Sequence, residues 1–134
     1  MRSADFERAR HSPAHRTFRL ERICALLERL GNPHLEVPTL HVTGTNGKGS
    51  TSAMLSSLLQ AHGLKVGLYT SPHLLRVTER IRHGLEPIEP ATFSRLVDTI
   101  WEPLQQVSHD TPFGEPTTVE ALTAMALLYF RDVG

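Results

Sequence analysis

Only one cysteine, Cys24, stands in the chain. That excludes an internal disulfide and a thiolate metal cage, and it favours a reducing compartment. Lysine is almost as scarce: of 14 basic residues, all but Lys48 and Lys65 are arginine. Aromatic residues make up 6%, with one tryptophan and two tyrosines, too few to offer nucleic acid a stacking platform. The 14 acidic residues cancel the 14 basic ones, so no net field draws the chain onto nucleic acid or a membrane surface. No apolar run approaches the roughly 18 residues of a membrane span. The opening residues carry charge without the apolar stretch of a secretory signal. What is left is a chain of 134 residues, 40% hydrophobic and 21% charged. That is the balance of one soluble globular domain, expected in the cytoplasm.

Residues 1–16 are polar, rich in arginine and histidine, and read as an arm ahead of a domain spanning 17–134. From about Thr17 to Leu30, apolar residues fall at helical spacing, and Gly31-Asn32-Pro33 supplies a stop. Thr39 to Thr43 is short and β-branched and predicts a strand. A glycine-rich turn, Gly44 to Ser50, follows it. A helix is then expected from about Ser50 to His62, with Met54, Leu55, Leu58 and Leu59 facing inward, and a strand over Lys65–Thr70. Strand, glycine loop, helix and strand imply parallel strands joined by a crossover.

Thr78–Arg82 reads as a further short strand, and His83-Gly84 as a turn. A third helix should begin after Pro90 and be strained or ended by Pro103, with Trp101 in the core and a loop over 105–116. Thr117 and Glu120 have the spacing of a capping box, opening a last helix that is apolar nearly all round. Arg131 to Gly134 reads as a connection into another strand, which predicts a truncated domain or one completed by other chains. The expected fold is α/β, like a P-loop NTPase, with a mostly parallel sheet flanked by helices.

The loop Gly44-Thr45-Asn46-Gly47-Lys48-Gly49-Ser50 carries the strongest chemical signal. Glycines let main-chain amides approach a phosphate, and the helix behind them offers the positive end of its dipole. Lys48 adds a point charge suited to terminal phosphates, and a hydroxyl after it could ligate Mg²⁺. The usual P-loop spacing is not met. Val42 stands where the first glycine would, and Gly49 rather than serine or threonine follows the lysine. A glycine-rich turn without a ligand is the plain alternative.

These residues, His41 to Ser50, resemble the nucleotide-binding loop of the Mur ligase superfamily. More narrowly, they resemble the dihydrofolate synthase/folylpolyglutamate synthase family. Leu20-Glu21-Arg22, Leu30 to Pro33, Tyr69 to Leu74, Glu79-Arg80-Ile81 and Thr117 to Thr123 resemble further stretches of that family in the same order. The resemblance implies a partial Mur-ligase central domain. It also implies an ATP- and Mg²⁺-dependent ligase, in which a pteroate or folate carboxylate is phosphorylated and the amine of L-glutamate attacks the acyl phosphate. The substrates implied are ATP, L-glutamate and dihydropteroate or tetrahydrofolate. The partners implied include no nucleic acid and no membrane, and the full-length protein is expected to be a monomer.

By the same resemblance, Gly44, Thr45, Asn46, Gly47, Lys48, Gly49 and Ser50 hold ATP, with Lys48 catalytic. Ser71 ligates magnesium, and Thr117, Thr118, Val119 and Glu120 line the pteroate or folate site. Beside that resemblance, His73 and Arg80 are candidate substrate contacts: His73, next to Ser71, could polarise a substrate, ligate a metal or simply pack the loop. Ser71 could instead merely shape a Ser-Pro turn, and Thr117 with Glu120 could do no more than cap a helix. Two positions depart from the family: Val119 replaces a phenylalanine, and Arg19 stands where glycine is usual. The next family motif, with a second metal-binding glutamate, would fall beyond Gly134. So would a modified lysine and the glutamate-binding domain. The chain is therefore expected to be an amino-terminal part without turnover of its own.

Weaker signals remain. His11 and His15 are four apart, as zinc ligands on a helix are, but they read better as part of a solvated arm. Arg76, Arg80 and Arg82 form a basic cluster that could meet a polyanionic folate tail or simply line a solvated edge. Two other readings stay open: a P-loop small-molecule kinase, and a non-catalytic nucleotide-binding module.

Overall fold

The structure, a computed structural model, describes residues 20–134. The arm, His11, His15 and Arg19 lie outside the described residues. Helix α1 spans Leu20–Arg29. It ends in the glycine stop expected: Gly31 and Asn32 both take left-handed backbone angles, and the Asn32 N–H returns to the Leu27 carbonyl at 2.8 Å. A 3₁₀ turn, Pro33–Leu35, follows. Helix α2 spans Lys48–Ala61, strand β1 Gly67–Tyr69, and a second 3₁₀ turn Val77–Arg80. Strands β2, Ile81–His83, and β3, Glu86–Pro87, precede helix α3, Pro90–Asp110, and helix α4, Thr118–Val133.

Mixed helix and sheet bear out the α/β class, but the parallel sheet does not hold among the described residues. The three strands run in the order β1-β2-β3, each antiparallel to its neighbour, with Leu68 opposite Arg82 and Arg82 opposite Pro87. The reason is the connection. Parallel neighbours need a crossover, usually a helix, whereas residues 70–80 hold only a loop and a 3₁₀ turn and fold β2 straight back onto β1. Thr39–Thr43 forms no strand and is mostly exposed.

Two buried clusters hold the fold. Ile81, Ile88, Leu96, Ile100, Leu122, Met125, Ala126 and Leu128 form one, between the sheet, α3 and α4. Leu26, Leu27, Val107 and Ala124 form the other, where α1, α3 and α4 meet. Helix α4 serves both, which is why it is apolar nearly all round. Each fully buried leucine or isoleucine contributes about 1.5–3 kcal/mol. Gly67 is required by packing: a Cβ there would overlap the Phe130 ring.

Several local expectations are corrected. Helix α3 runs through Pro103 to Asp110, consuming half of the expected loop. Ile100 and Val107, buried on either side of the proline, supply the burial that outweighs its cost of about 3 kcal/mol. Trp101 lies outside the core, 60% exposed, because it points away from the Ile100 face. Helix α2 starts two residues early, at Lys48. It turns Met54 and Leu58 to solvent, while Ser56 is buried and accepts a hydrogen bond from Gln60. Arg131–Val133 is still helix, with Gly134 as its cap.

Candidate functional site

The phosphate-loop candidate is built by one backbone angle. Gly47, at φ +73°, turns the chain into α2 in a conformation that costs other residues dearly. No side chain caps the helix start. The first main-chain hydrogen bond comes from the Thr51 N–H to the Gly47 carbonyl at 2.9 Å. The N–H groups of Lys48, Gly49 and Ser50 therefore have no acceptor within the helix and sit at its positive pole. Gly44 to Ser50 is exposed throughout. Lys48 Nζ donates to the Gly44 carbonyl at 2.6 Å, drawing the two ends of the loop together. Free amides, a positive helix end and a solvent-facing ammonium form a donor set that fits a polyphosphate.

Ser71 and His73 lie in the loop after β1, where the Ser71–Pro72 peptide is cis. Ser71 is exposed. The Thr70 N–H bonds the Arg80 carbonyl at 3.0 Å, and Arg80 Nε donates to His73 Nδ1 at 2.8 Å, so the loop is tied back onto the second 3₁₀ turn. Glu79 does most of this tying. Its carboxylate accepts the N–H groups of Leu74, Leu75 and Arg76 at 2.8, 3.1 and 2.8 Å. The Leu74 and Arg76 amide bonds lead in holding the Glu79 carboxyl below its ordinary value, over a smaller upward push from desolvation. Sequence reasoning placed Glu79 in a family stretch without seeing this role; an acid just after an exposed Leu-Leu turn is the signal that could have found it.

At the start of α4 the capping box is present. Thr117 Oγ1 accepts the Glu120 N–H at 3.3 Å, and Glu120 Oε2 accepts the Thr117 N–H at 2.7 Å. Glu120 also pairs with Arg22 Nε at 2.8 Å. Desolvation, the largest single influence, pushes the Glu120 carboxyl up, but hydrogen bonds from Arg22 and Thr117 together bring it below its ordinary value. Thr118 and Val119 face outward and are exposed. No local signal could have found the Arg22 pairing, since the two residues are 98 positions apart.

The sites thus form three groups: the Gly44–Ser50 loop, the loop carrying Ser71, His73 and Arg80, and the first turn of α4. Among the described residues no hydrogen bond joins the first to either of the others. No three histidine, cysteine, aspartate or glutamate side chains gather there to hold a metal ion. Hydroxyl, phosphate and water oxygens are donors that suit magnesium. Ser71 carries an exposed hydroxyl.

No protein-family model matches the chain. The dihydrofolate synthase/folylpolyglutamate synthase of Bacillus subtilis is 41% identical over 113 residues, covering 84% of this chain and 26% of that protein. The folylpolyglutamate synthase structure from Thermotoga maritima superposes with a TM-score of 0.82 at 41% identity, over 97% of this chain and 31% of that one. A folylpolyglutamate synthase–AMPPCP–folate complex superposes at 0.79 and 37% identity, over 99% of this chain and 33% of that one. The chain spans about a quarter of the length of the curated relatives it matches.

Proposed function

Because this chain belongs to the dihydrofolate synthase/folylpolyglutamate synthase family over the residues it shares with it, we propose that it carries the nucleotide-binding part of an ATP-dependent ligase joining L-glutamate to dihydropteroate or a folate. The observation that carries the reading is the uncapped start of α2 behind Gly47, with Lys48 beside it. The amides of Lys48, Gly49 and Ser50 receive phosphate oxygens. Lys48 exchanges its Gly44 carbonyl for the outer phosphates, and Thr45 and Asn46 line the loop. Gly49 leaves room, since nothing lies within 4 Å of where its Cβ would stand.

Ser71, exposed on a loop that Glu79 and Arg80 pin, is the residue that would hold magnesium here. When bound, that ion neutralises phosphate charge as phosphoryl transfer proceeds. The substrate carboxylate takes the γ-phosphoryl group and ADP leaves. The amine of L-glutamate then attacks the acyl carbon and displaces phosphate, forming the amide. In this reading Thr117, Thr118, Val119 and Glu120 border the pteroate or folate, and His73 and Arg80 approach it from the neighbouring loop. Val119 offers a smaller apolar contact than the phenylalanine usual in the family. The reading also carries a cytoplasmic, monomeric enzyme; among the described residues no helix is long and apolar enough to cross a membrane.

The test is ADP release by the complete protein with Mg²⁺, ATP, dihydropteroate or tetrahydrofolate, and L-glutamate. The reading requires release that depends on both the pteridine and glutamate. Phosphate transfer indifferent to glutamate would make the protein a kinase instead.

A further inference from the structure

Within the first turn of α4 the four candidate substrate residues divide into two kinds. Thr118 and Val119 are exposed, whereas Thr117 and Glu120 turn inward. Glu120 Oε2 accepts three hydrogen bonds, from Arg22 Nε at 2.8 Å, the Thr117 N–H at 2.7 Å and the Thr117 hydroxyl at 2.8 Å. An oxygen so engaged has little left for a ligand. Arg22 reaches further: its Nη1 approaches the Phe113 carbonyl at 3.4 Å, in the loop leading to α4. The Arg22 and Glu120 side chains are only 14% and 15% exposed.

We propose that Arg22 is a positioning residue for the pteridine-bearing substrate, fixing the first turn of α4 through Glu120 and the preceding loop through the Phe113 carbonyl. Thr118 and Val119 then present one defined surface to that substrate. The proposal rests on the reading of this turn as part of the substrate site. Its chemistry follows from the guanidinium, whose rigid planar fork fixes the directions of its donors, where an ammonium's three donors turn freely on a flexible stem. The pair also spans α1 and α4, so the turn is held by an element remote in sequence rather than by its capping box alone. The capping box can form in an isolated helix; the angle between that helix and the loop before it cannot be set from within it.

Two readouts on the complete protein test this, for wild type, Arg22→Gln and Arg22→Lys. Amide hydrogen exchange needs no substrate. Arg22→Gln should speed exchange over residues 113–121 by about tenfold or more, with β1–β3 unchanged. Arg22→Lys should fall between, keeping the Glu120 contact but losing the Phe113 carbonyl. In steady-state kinetics, Arg22→Gln should raise KM for dihydropteroate or folate by about tenfold while KM for ATP stays within about twofold. Unchanged exchange overturns the positioning role whatever the kinetics. Faster exchange with an unchanged pteridine KM overturns its link to substrate. A wild-type protein that turns over no pteridine with glutamate overturns the ligase reading and the substrate half of this proposal, while exchange still decides whether Arg22 holds the turn.

Discussion

Lys48 Nζ and the Gly44 carbonyl oxygen lie 2.6 Å apart, so the ammonium of the glycine loop is held by the loop's own first residue. The lysine is thereby held beside the free amides at the start of α2, and under the proposed function a phosphate would have to win it from a single neutral acceptor. Both partners are charged in an ammonium–phosphate pair, so it would add Coulomb attraction that the neutral Gly44 carbonyl lacks.

Replacing Lys48 by alanine removes that charge at an exposed position whose side chain bonds, among the described residues, only the loop's own Gly44 carbonyl. Stability should change by no more than about 0.5 kcal/mol, as at other exposed sites. Nucleotide binding by calorimetry and ATP turnover by the complete protein should be lost. A variant that binds ATP as the wild type does would remove the phosphate role assigned to Lys48.

Ser71→Ala should leave folding unchanged, since the residue is exposed, and raise the magnesium concentration needed for half-maximal turnover. A magnesium titration of the complete protein measures this. An unshifted midpoint would leave Ser71 as a turn residue only.

Gly67→Ala should destabilise the fold by about 1–3 kcal/mol in urea unfolding, because the added methyl meets the Phe130 ring. Phe130→Leu in the same chain should recover part of that loss. Additive losses in the double variant would show that the ring is not the obstacle.

The pH response follows from Glu79 and Glu120, both held below the ordinary carboxylate value of 4.5. A carboxylate lowered in the folded state stabilises above its unfolded value and loses that contribution as pH falls through its folded one. Stability should therefore hold from neutral pH down to about the unfolded value and decline below it. Glu120→Gln should flatten that decline, and Glu79→Gln should remove the acid sensitivity of amide protection at Leu74, Leu75 and Arg76. Equal acid slopes in wild type and Glu120→Gln would show that Glu120 does not carry the response.

Periodicity made the helices legible. Leu20 to Leu30 and the Thr117–Glu120 box became the elements expected, and the stretch after Pro90 became a helix that runs on past Pro103, because local spacing and capping decide where these helices form. The glycine loop was legible in the same way. Strand direction was not, since it depends on which strand lies alongside, and β2 returns through residues 70–80 without a helix. The face of α2 was equally hidden: Met54 and Leu58 have core spacing, yet small polar Ser56 takes the buried position. Arg22 and Glu79 stood in plain view as letters, but their partners are set by tertiary approach or by a turn geometry that spacing does not encode.

Ala124 and Met125 are adjacent in α4 yet belong to different clusters. A single rod is thus the common wall of two rooms, and neither room can be emptied while the other stays furnished. Heat or denaturant should take both down in one concerted step, with near-coincident loss of helix signal and of protection in the β-sheet.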